Sequence, residues 1–274
     1  MRFLDLHVHT YPLSDCSGLS EDQLAAFYLE HQEFVVTVSD HQSLGWYDRF
    51  VGKRKMFSPA ETLYSTELSF APGHTDLVLT TYDLDAFAPL RPVLARGERY
   101  LQQVSQKVFQ VIRDPRVLVV WAHPEDPKPS WLEDEDFDFI EFNYTHLWLV
   151  NDELGLMRYL EWLGREHPDK LFIVGSDSHS TFTLGETFVS FNGDVRTGEE
   201  AWGALKAGAF TNHMNFTRRQ VGGFRAGGID KETLTWTFTP QTRTPLVTNP
   251  RVGSLEKMRS YLSDEEVESL IMRY

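Results

Sequence analysis

Two short motifs bracket most of the apolar runs in this chain. His7-Val-His9 follows the first run, Phe3-Leu-Asp-Leu, and Asp177-Ser-His179 follows the last strong one, Leu171-Phe-Ile-Val-Gly. In a β-strand, residues i and i+2 point to one side, so each motif puts two metal-type donors on one face. Asp40-His41, Glu67 and His123 stand at or near the ends of further short, β-branched runs between them. A fold that uses all of these donors together must gather several strand ends at one rim. The pattern predicts a multinuclear metal site on an α/β scaffold.

The strand-like runs are Phe3–His7, Phe34–Ser39, Thr62–Glu67, Leu77–Tyr82, Val117–Trp121, Phe137–Phe142 and Leu171–Gly175. Helical patterns separate several of them. One opens at Ser20 with an acidic first turn, and others span Glu98–Arg113, Asp152–Arg165 and Glu199–Lys206. Strands alternating with helices favour a parallel arrangement. Seven strands predict a distorted (β/α)7, TIM-like barrel over residues 1–210, with the donors at the C-terminal strand ends where such barrels hold their chemistry. An open α/β sheet with the same residues in its crevice is the second reading. Past about residue 210 the texture changes: Thr233-Leu-Thr-Trp-Thr-Phe-Thr alternates like a half-exposed strand, and a capped helical segment begins at Ser263. Residues 211–274 are expected to form a small appendage packed on the barrel.

Composition narrows the partners. Lys+Arg 26 against Asp+Glu 40 gives a net charge of −14, which disfavours long nucleic acid and anionic membranes. It permits a small phosphorylated substrate, because bound cations reverse the local charge of a pocket. No run reaches the length of a membrane span and no leader pattern opens the sequence, so a cytoplasmic protein is expected. Cys16 is the sole cysteine, which rules out an internal disulfide and a C-x-x-C zinc site. It reads as a small buried thiol beside a metal ligand.

The motifs, in this order, resemble those of the PHP (polymerase and histidinol phosphatase) family, metal-dependent phosphoesterases related to amidohydrolase-like barrels. The resemblance is carried by His7-Val-His9-Thr10 with Ser14-Asp15, by Ser39-Asp40-His41, by Glu67, by Ala122-His123-Pro124 and by Asp177-Ser-His179. It implies two or three divalent cations (Zn²⁺, Mn²⁺ or Fe²⁺). Residues His7, His9, Glu67 and Asp177 would hold one, Glu67 and His123 a second, and Asp15, His41 and His179 a third. It also implies hydrolysis of a phosphate ester by a hydroxide held between metals, with Asp177 accepting or relaying its proton. The substrate would be a small phosphomonoester or a nucleotide-type phosphodiester, a short oligonucleotide included. Oligomeric state is left open.

Two departures stand out. A family histidine that follows the glutamate falls near Val78 here, so that His74 replaces it, or Asp76 does, or nothing does and the second metal is weakly held. Ser14-Asp15-Cys16-Ser17-Gly18 stands where the family more often has Ser-Asp-Gly. His146, just beyond the Phe137–Phe142 run, is a candidate substrate contact, and Asp5 and Asp40 are candidates for orienting ligands. His31, His167 and His213 read as surface or capping residues, Glu133–Asp136 as a solvated turn, and Trp46, Trp121, Trp131, Trp148 and Trp162 as core. Two rivals remain: amidohydrolase-type cleavage of a C–N or C–O bond, and a non-catalytic metal-binding regulatory module.

Overall fold

The computed structural model describes residues 2–71, 75–124, 128–143, 162–180, 183–185, 187–217, 233–238, 240–241 and 246–248. His74, His146, Trp148, most of the helical pattern Asp152–Arg165 and the segment from Ser263 lie outside the described residues. Among the described residues ten strands form two five-stranded sheets. The first contains β1 (Phe3–Leu4), β7 (Thr187–Phe191), β8 (Phe210–Thr217), β9 (Thr233–Phe238) and β10 (Leu246–Thr248), in that order. All its pairings are antiparallel. β8 begins at Phe210 and pairs with β7, so this sheet takes strands from both sides of residue 210.

The second sheet contains β2 (Tyr64–Phe70), β3 (Thr75–Thr81), β4 (Val117–Ala122), β5 (Phe139–Asn143) and β6 (Leu171–Gly175). Here β2, β3 and β4 meander antiparallel, and only β4, β5 and β6 run parallel. The expected distorted (β/α)7 barrel is therefore not formed. A barrel of that kind needs a crossover between every pair of strands, whereas β2 reaches β3 through residues 71–74 alone, a length that only an antiparallel pair allows. Helices are correspondingly few among the described residues. The pattern at Glu98–Arg113 yields only α4 (Gln106–Ile112), because Ser105 caps it there and the backbone of Leu101 instead bonds Ser69 and Ala71.

The helices that do form have legible ends. In α1 (Glu21–Glu30), Ser20 and Gln23 make a reciprocal capping box, Glu21 and Asp22 face the positive end of the helix, and Leu24, Ala25 and Tyr28 are buried. Thr197 and Glu200 cap α5 (Gly198–Lys206) in the same way, burying Ala201 and Leu205. Gly198 sits on the carbonyl of Thr62, where an added Cβ would come within 2.2 Å of the oxygen. Two shorter turns, α2 (Gly45–Tyr47) and α3 (Arg91–Leu94), lie between them in sequence. Among the described residues no helix is long and apolar enough to cross a membrane.

The run Phe34–Ser39 is buried but forms no ladder of its own. Isolated parallel bridges, Phe3 to Phe34, Val36 to Thr62 and His41 to Glu67, lay it between β1 and β2. The Tyr47 hydroxyl fills the gap. It accepts from the backbone N–H of Val38 at 2.6 Å and of Ser65 at 2.8 Å, and lies within donating distance of the Val38 and Leu63 carbonyls. A side chain thus satisfies backbone groups that a ladder would otherwise pair. On the other side of His7-Val-His9, Val8 bridges Ser178, and His9 N–H donates to the Ser178 carbonyl at 3.0 Å. The first and last motifs are thereby set side by side.

Several residues set aside earlier have definite places. His31 is the exposed C-cap of α1. His167, expected at the surface, is buried with its ring edge-on to Trp121. His213 stacks on Phe188 and bonds Ser190. The acidic run forms a single 3-10 turn, Asp134–Asp136, in which Asp136 is buried and receives Arg113 at 2.8 Å.

Candidate metal centre

His7, His9, His41, Glu67, His123, Asp177 and His179 converge at one rim. They form three overlapping groups whose ligand atoms all lie within 4.8 Å of one another: His7, His9 and Asp177; His7, Glu67 and His123; and His9, His41 and His179. Two features of the chain drive the convergence. Glu67 lies inside β2 with its backbone bridged to His41. His123 and Asp177 terminate β4 and β6 in the left-handed region, at φ 27° and φ 50°. Residues with a Cβ rarely adopt that conformation, and it tends to persist where a site requires it.

The orientation of each imidazole follows from what its other nitrogen does. His7 Nδ1 lies 2.9 Å from both carboxylate oxygens of Glu141, which takes its N–H and leaves Nε2 bare. Nε2 faces Glu67 Oε1 at 3.4 Å and Asp177 Oδ1 at 3.5 Å. The Ser14 hydroxyl gives its only proton to Asp40 Oδ1 at 2.9 Å, so His9 Nδ1, 3.2 Å from Ser14 Oγ, must be the donor there. His9 Nε2 is then bare as well, 3.1 Å from Asp177 Oδ1. His179 Nδ1 donates to the Asp177 carbonyl at 2.7 Å, leaving its Nε2 toward Cys16 Sγ at 3.1 Å. Such carboxylate and carbonyl partners fix tautomer and ring angle in metal-binding histidines.

The donor set suits divalent cations. His7 Nε2 and His9 Nε2 are fully buried, yet neither has a hydrogen-bond partner. An unsatisfied buried polar group costs about 1–3 kcal/mol, so two bare nitrogens aimed at carboxylates are what residues that would hold a cation present. Imidazole and carboxylate donors favour borderline metals. The electrostatics agree. Burial works against charge on His7, but Glu141, Glu67 and Asp177 outweigh it and raise the imidazole well above its usual range. Burial is likewise overcome at His41 by Glu67, reaching about 11, and at His123 by Glu67 and Asp177, reaching about 9. Glu67 and Asp177 are held well below the ordinary carboxylate range despite their burial, the first by His41 and His7, the second by His7 and His9. Protons on imidazoles thus balance the carboxylates at the positions cations would neutralise. Burial, together with the neighbouring His41 and His7, drives His9 the other way, down to about 3, against the pull of Asp177 and Glu67.

Other expected residues fall outside the groups or at their margin. Asp15 is 64 % exposed at its side chain and faces Arg99 at 3.2 Å. Of the residues considered for the missing family histidine, Val78 is buried in the core opposite Glu67. Asp76 stands one pair from the end of β3, 3.9 Å from His123 Nε2, with one oxygen buried and unpartnered. Burial, with Glu67 nearby, pushes it up to about 6. Asp40 accepts from Thr10 N–H at 2.6 Å, from Thr10 Oγ1 at 2.8 Å and from Ser14, whose hydroxyl oxygen in turn receives His9 Nδ1. Asp5 accepts from the Ser176 N–H at 3.0 Å, next to the last motif. Cys16, expected to be buried, is exposed.

Sequence reasoning missed Glu141. It is wholly buried in β5, and the signal was there: a lone carboxylate inside the run Phe-Ile-Glu-Phe. A buried charge needs a partner, and His7 is that partner. Gly175 makes the arrangement possible. A Cβ there would lie 2.1 Å from Glu141 Oε1 and 2.7 Å from His7 Cβ. Arg99 was missed too, for want of any motif. With His41, Ser69, Gln42 and Tyr100 it lines a cavity of about 330 Å³ beside the centre.

No family model matches the chain, and no curated protein matches it. Among solved structures it is similar to PsfC from Pseudomonas syringae PB-5123, at 17% identity over 73% of this chain and 87% of that one, with TM-score 0.48. A candidate metal-dependent phosphoesterase from Bifidobacterium adolescentis is 16% identical over 74% and 95%, with TM-score 0.41. An amidohydrolase from Chromobacterium violaceum is 13% identical over 65% and 88%, with TM-score 0.38. At such identities and TM-scores these neighbours assign no activity to this chain.

Proposed function

We propose that this chain is a divalent-metal-dependent hydrolase of a small phosphate ester. The observation that carries the reading is the pair of buried, bare nitrogens, His7 Nε2 and His9 Nε2, aimed at the carboxylates of Glu67 and Asp177. Bound cations supply Lewis-acid activation of water and neutralise charge on phosphoryl oxygens.

The chain's own residues do the rest. Glu67 reaches His41 at 2.7 Å and His123 at 3.3 Å through different oxygens, so one carboxylate ties the buried groups to the open one. Asp177 has more solvent access than Glu67, 10 % of its side chain against 1 %, so it is the carboxylate through which a proton leaves toward water. Arg99 presents a cation in the cavity beside His41 and supports binding of an anionic ester. A cavity of about 330 Å³ matches a metabolite-sized ligand, and a net charge of −14 favours that over a long nucleic acid.

Elemental analysis of the purified protein, with p-nitrophenyl phosphate and its bis ester assayed in Mn²⁺, Zn²⁺ and Fe²⁺, tests the reading. Bound metal with hydrolysis of one ester supports it, and the preferred ester decides between mono- and diesterase. Metal with cleavage of an amide or lactone but neither ester would assign it to amidohydrolase chemistry, and metal with no turnover at all to a regulatory module. Failure to take up any divalent cation after reconstitution overturns the whole assignment.

A further inference from the structure

Gln42 directly follows His41, and its φ of 44° lies in the left-handed region that a residue with a Cβ rarely adopts. One edge of β2 shows what that conformation achieves. There Glu67 N–H donates to the Asp40 carbonyl at 3.2 Å, and the Glu67 carbonyl accepts from Gln42 N–H at 2.8 Å. Farther along, the Ser69 carbonyl accepts from Leu101 N–H at 2.8 Å, and Ala71 N–H donates to the Leu101 carbonyl at 3.0 Å. Ser69 N–H points to the same edge, between these two backbone partners. The buried Gln42 side chain fills the gap. Its amide oxygen accepts from Ser69 N–H at 2.7 Å, and its amide nitrogen donates to the Arg99 carbonyl at 3.1 Å. A backbone N–H only donates and a carbonyl only accepts, so these partners assign the two ends of the amide. One carboxamide thus splices the segment that carries Arg99 onto the strand that carries Glu67.

We propose that Gln42 is a positioning residue for substrate binding, acting through Arg99. The inference rests on the hydrolase reading above. Gly97, at φ 63°, turns the chain after α3, and the Arg99 side chain that follows is 64 % exposed. An arginine so exposed, outside any helix, loses conformational freedom when it grips an anion. Here Asp15 meets its guanidinium at 3.2 Å and Gln42 holds its carbonyl, so both ends are anchored beside the cavity. Gln42, His41, Ser69 and Arg99 line that cavity together, and Ser69 Oγ lies 3.3 Å from His41 Nδ1. Holding the arginine in place before substrate arrives lowers the ordering cost of binding. Both bonds of the Gln42 amide go to backbone groups, so its effect falls on KM and spares kcat.

Two variants of the full chain test this. Gln42→Met keeps the length and loses both hydrogen bonds. Gln42→Asn keeps an amide and suits a left-handed backbone, but is too short to reach both partners. The substrates are p-nitrophenyl phosphate and its bis ester, with Mn²⁺ loaded. Each variant should raise KM about 2–10-fold, the effect of one lost hydrogen bond, with kcat and metal content held. Combining Gln42→Met with Arg99→Ala should give the KM of Arg99→Ala alone, because Gln42 acts only through Arg99. In the metal-free chain, hydrogen–deuterium exchange over residues 95–101 should quicken in both Gln42 variants. A native KM in Gln42→Asn, or KM losses that multiply in the double variant, overturns the proposal and leaves the hydrolase standing. So does unchanged exchange, or kcat or metal content falling in step with the rise in KM. A metal-loaded native chain that hydrolyses neither ester overturns both.

Discussion

The candidate centre has two halves of different construction. Around His7 every supporting group is buried: Glu141 fixes the ring, Gly175 leaves room for the carboxylate, and neither residue meets solvent. Around His41 and His179 the side chains are 28 % and 32 % exposed, the neighbours are Cys16, Asp15 and Arg99, and the cavity opens alongside. A rigid, dry half holds ions in fixed geometry, whereas an open half can exchange ligands and admit substrate. Glu67 reaches His7 and His123 on one side and His41 on the other, so one carboxylate joins the two halves.

The sharpest way to break this comparison is to remove one ligand from each half. His7 belongs to two of the three groups and His179 to one. His7→Asn should nearly abolish turnover and empty the buried half, while His179→Asn should cost the open group alone, as elemental analysis and a phosphoesterase assay would read. Equal losses in the two variants would dissolve the distinction. Gly175→Ala comes next. With 2.1 Å to a buried carboxylate oxygen, the new methyl must displace Glu141 or His7. Overpacking of this kind costs about 1–3 kcal/mol, so thermal denaturation should show a lowered midpoint together with weaker metal retention. A fully stable, fully metallated variant would mean the buried half is less rigid than it looks.

Glu141→Gln keeps the volume and removes the charge that orients His7. Loss of such a partner typically weakens metal binding about 10–100-fold, and a metal-competition titration should find that range with the fold intact. Acid should act in the same direction on the native chain. His41 and His123 are raised to about 11 and about 9, so cations must displace their protons, and affinity should climb as pH rises from 7 to 9. Calorimetric titrations in buffers of differing ionisation enthalpy count those protons, and no release on binding would contradict the assignment. The smallest effect belongs to the open half: Arg99→Ala should raise KM for an anionic ester and leave thermal stability unchanged. Unaltered KM would remove Arg99 from the substrate's path.

Much of the donor set could be read from the chain because period-two geometry forces it. His7 with His9, and Asp177 with His179, share a side by spacing alone, and Leu171–Gly175 is a strand over the very residues anticipated. What could not be read was strand direction. A run such as Leu77–Tyr82 looks the same pointing either way, and the antiparallel pairing of Glu67 with Val78 is decided by the short connection before it. β7 and β8 went unread because their apolar residues are diluted by Thr, Ser, Asn and His. Phe34–Ser39 misled in the opposite sense, being apolar enough for a strand yet tied in place by Tyr47. Glu141 was missed and Cys16 was read as buried, because their distances to His7 and His179 exist only in three dimensions.

The contact between Val8 and Ser178 joins the two ends of the donor set. An ion held by His7, His9 and Asp177 fastens that seam like a removable staple, joining residues 170 positions apart. Whatever binds the folded form and not the unfolded one stabilises it by mass action, so endurance against heat or protease becomes a function of free metal in the surroundings. The same seam that builds the centre would then let scarcity of metal mark the chain for turnover.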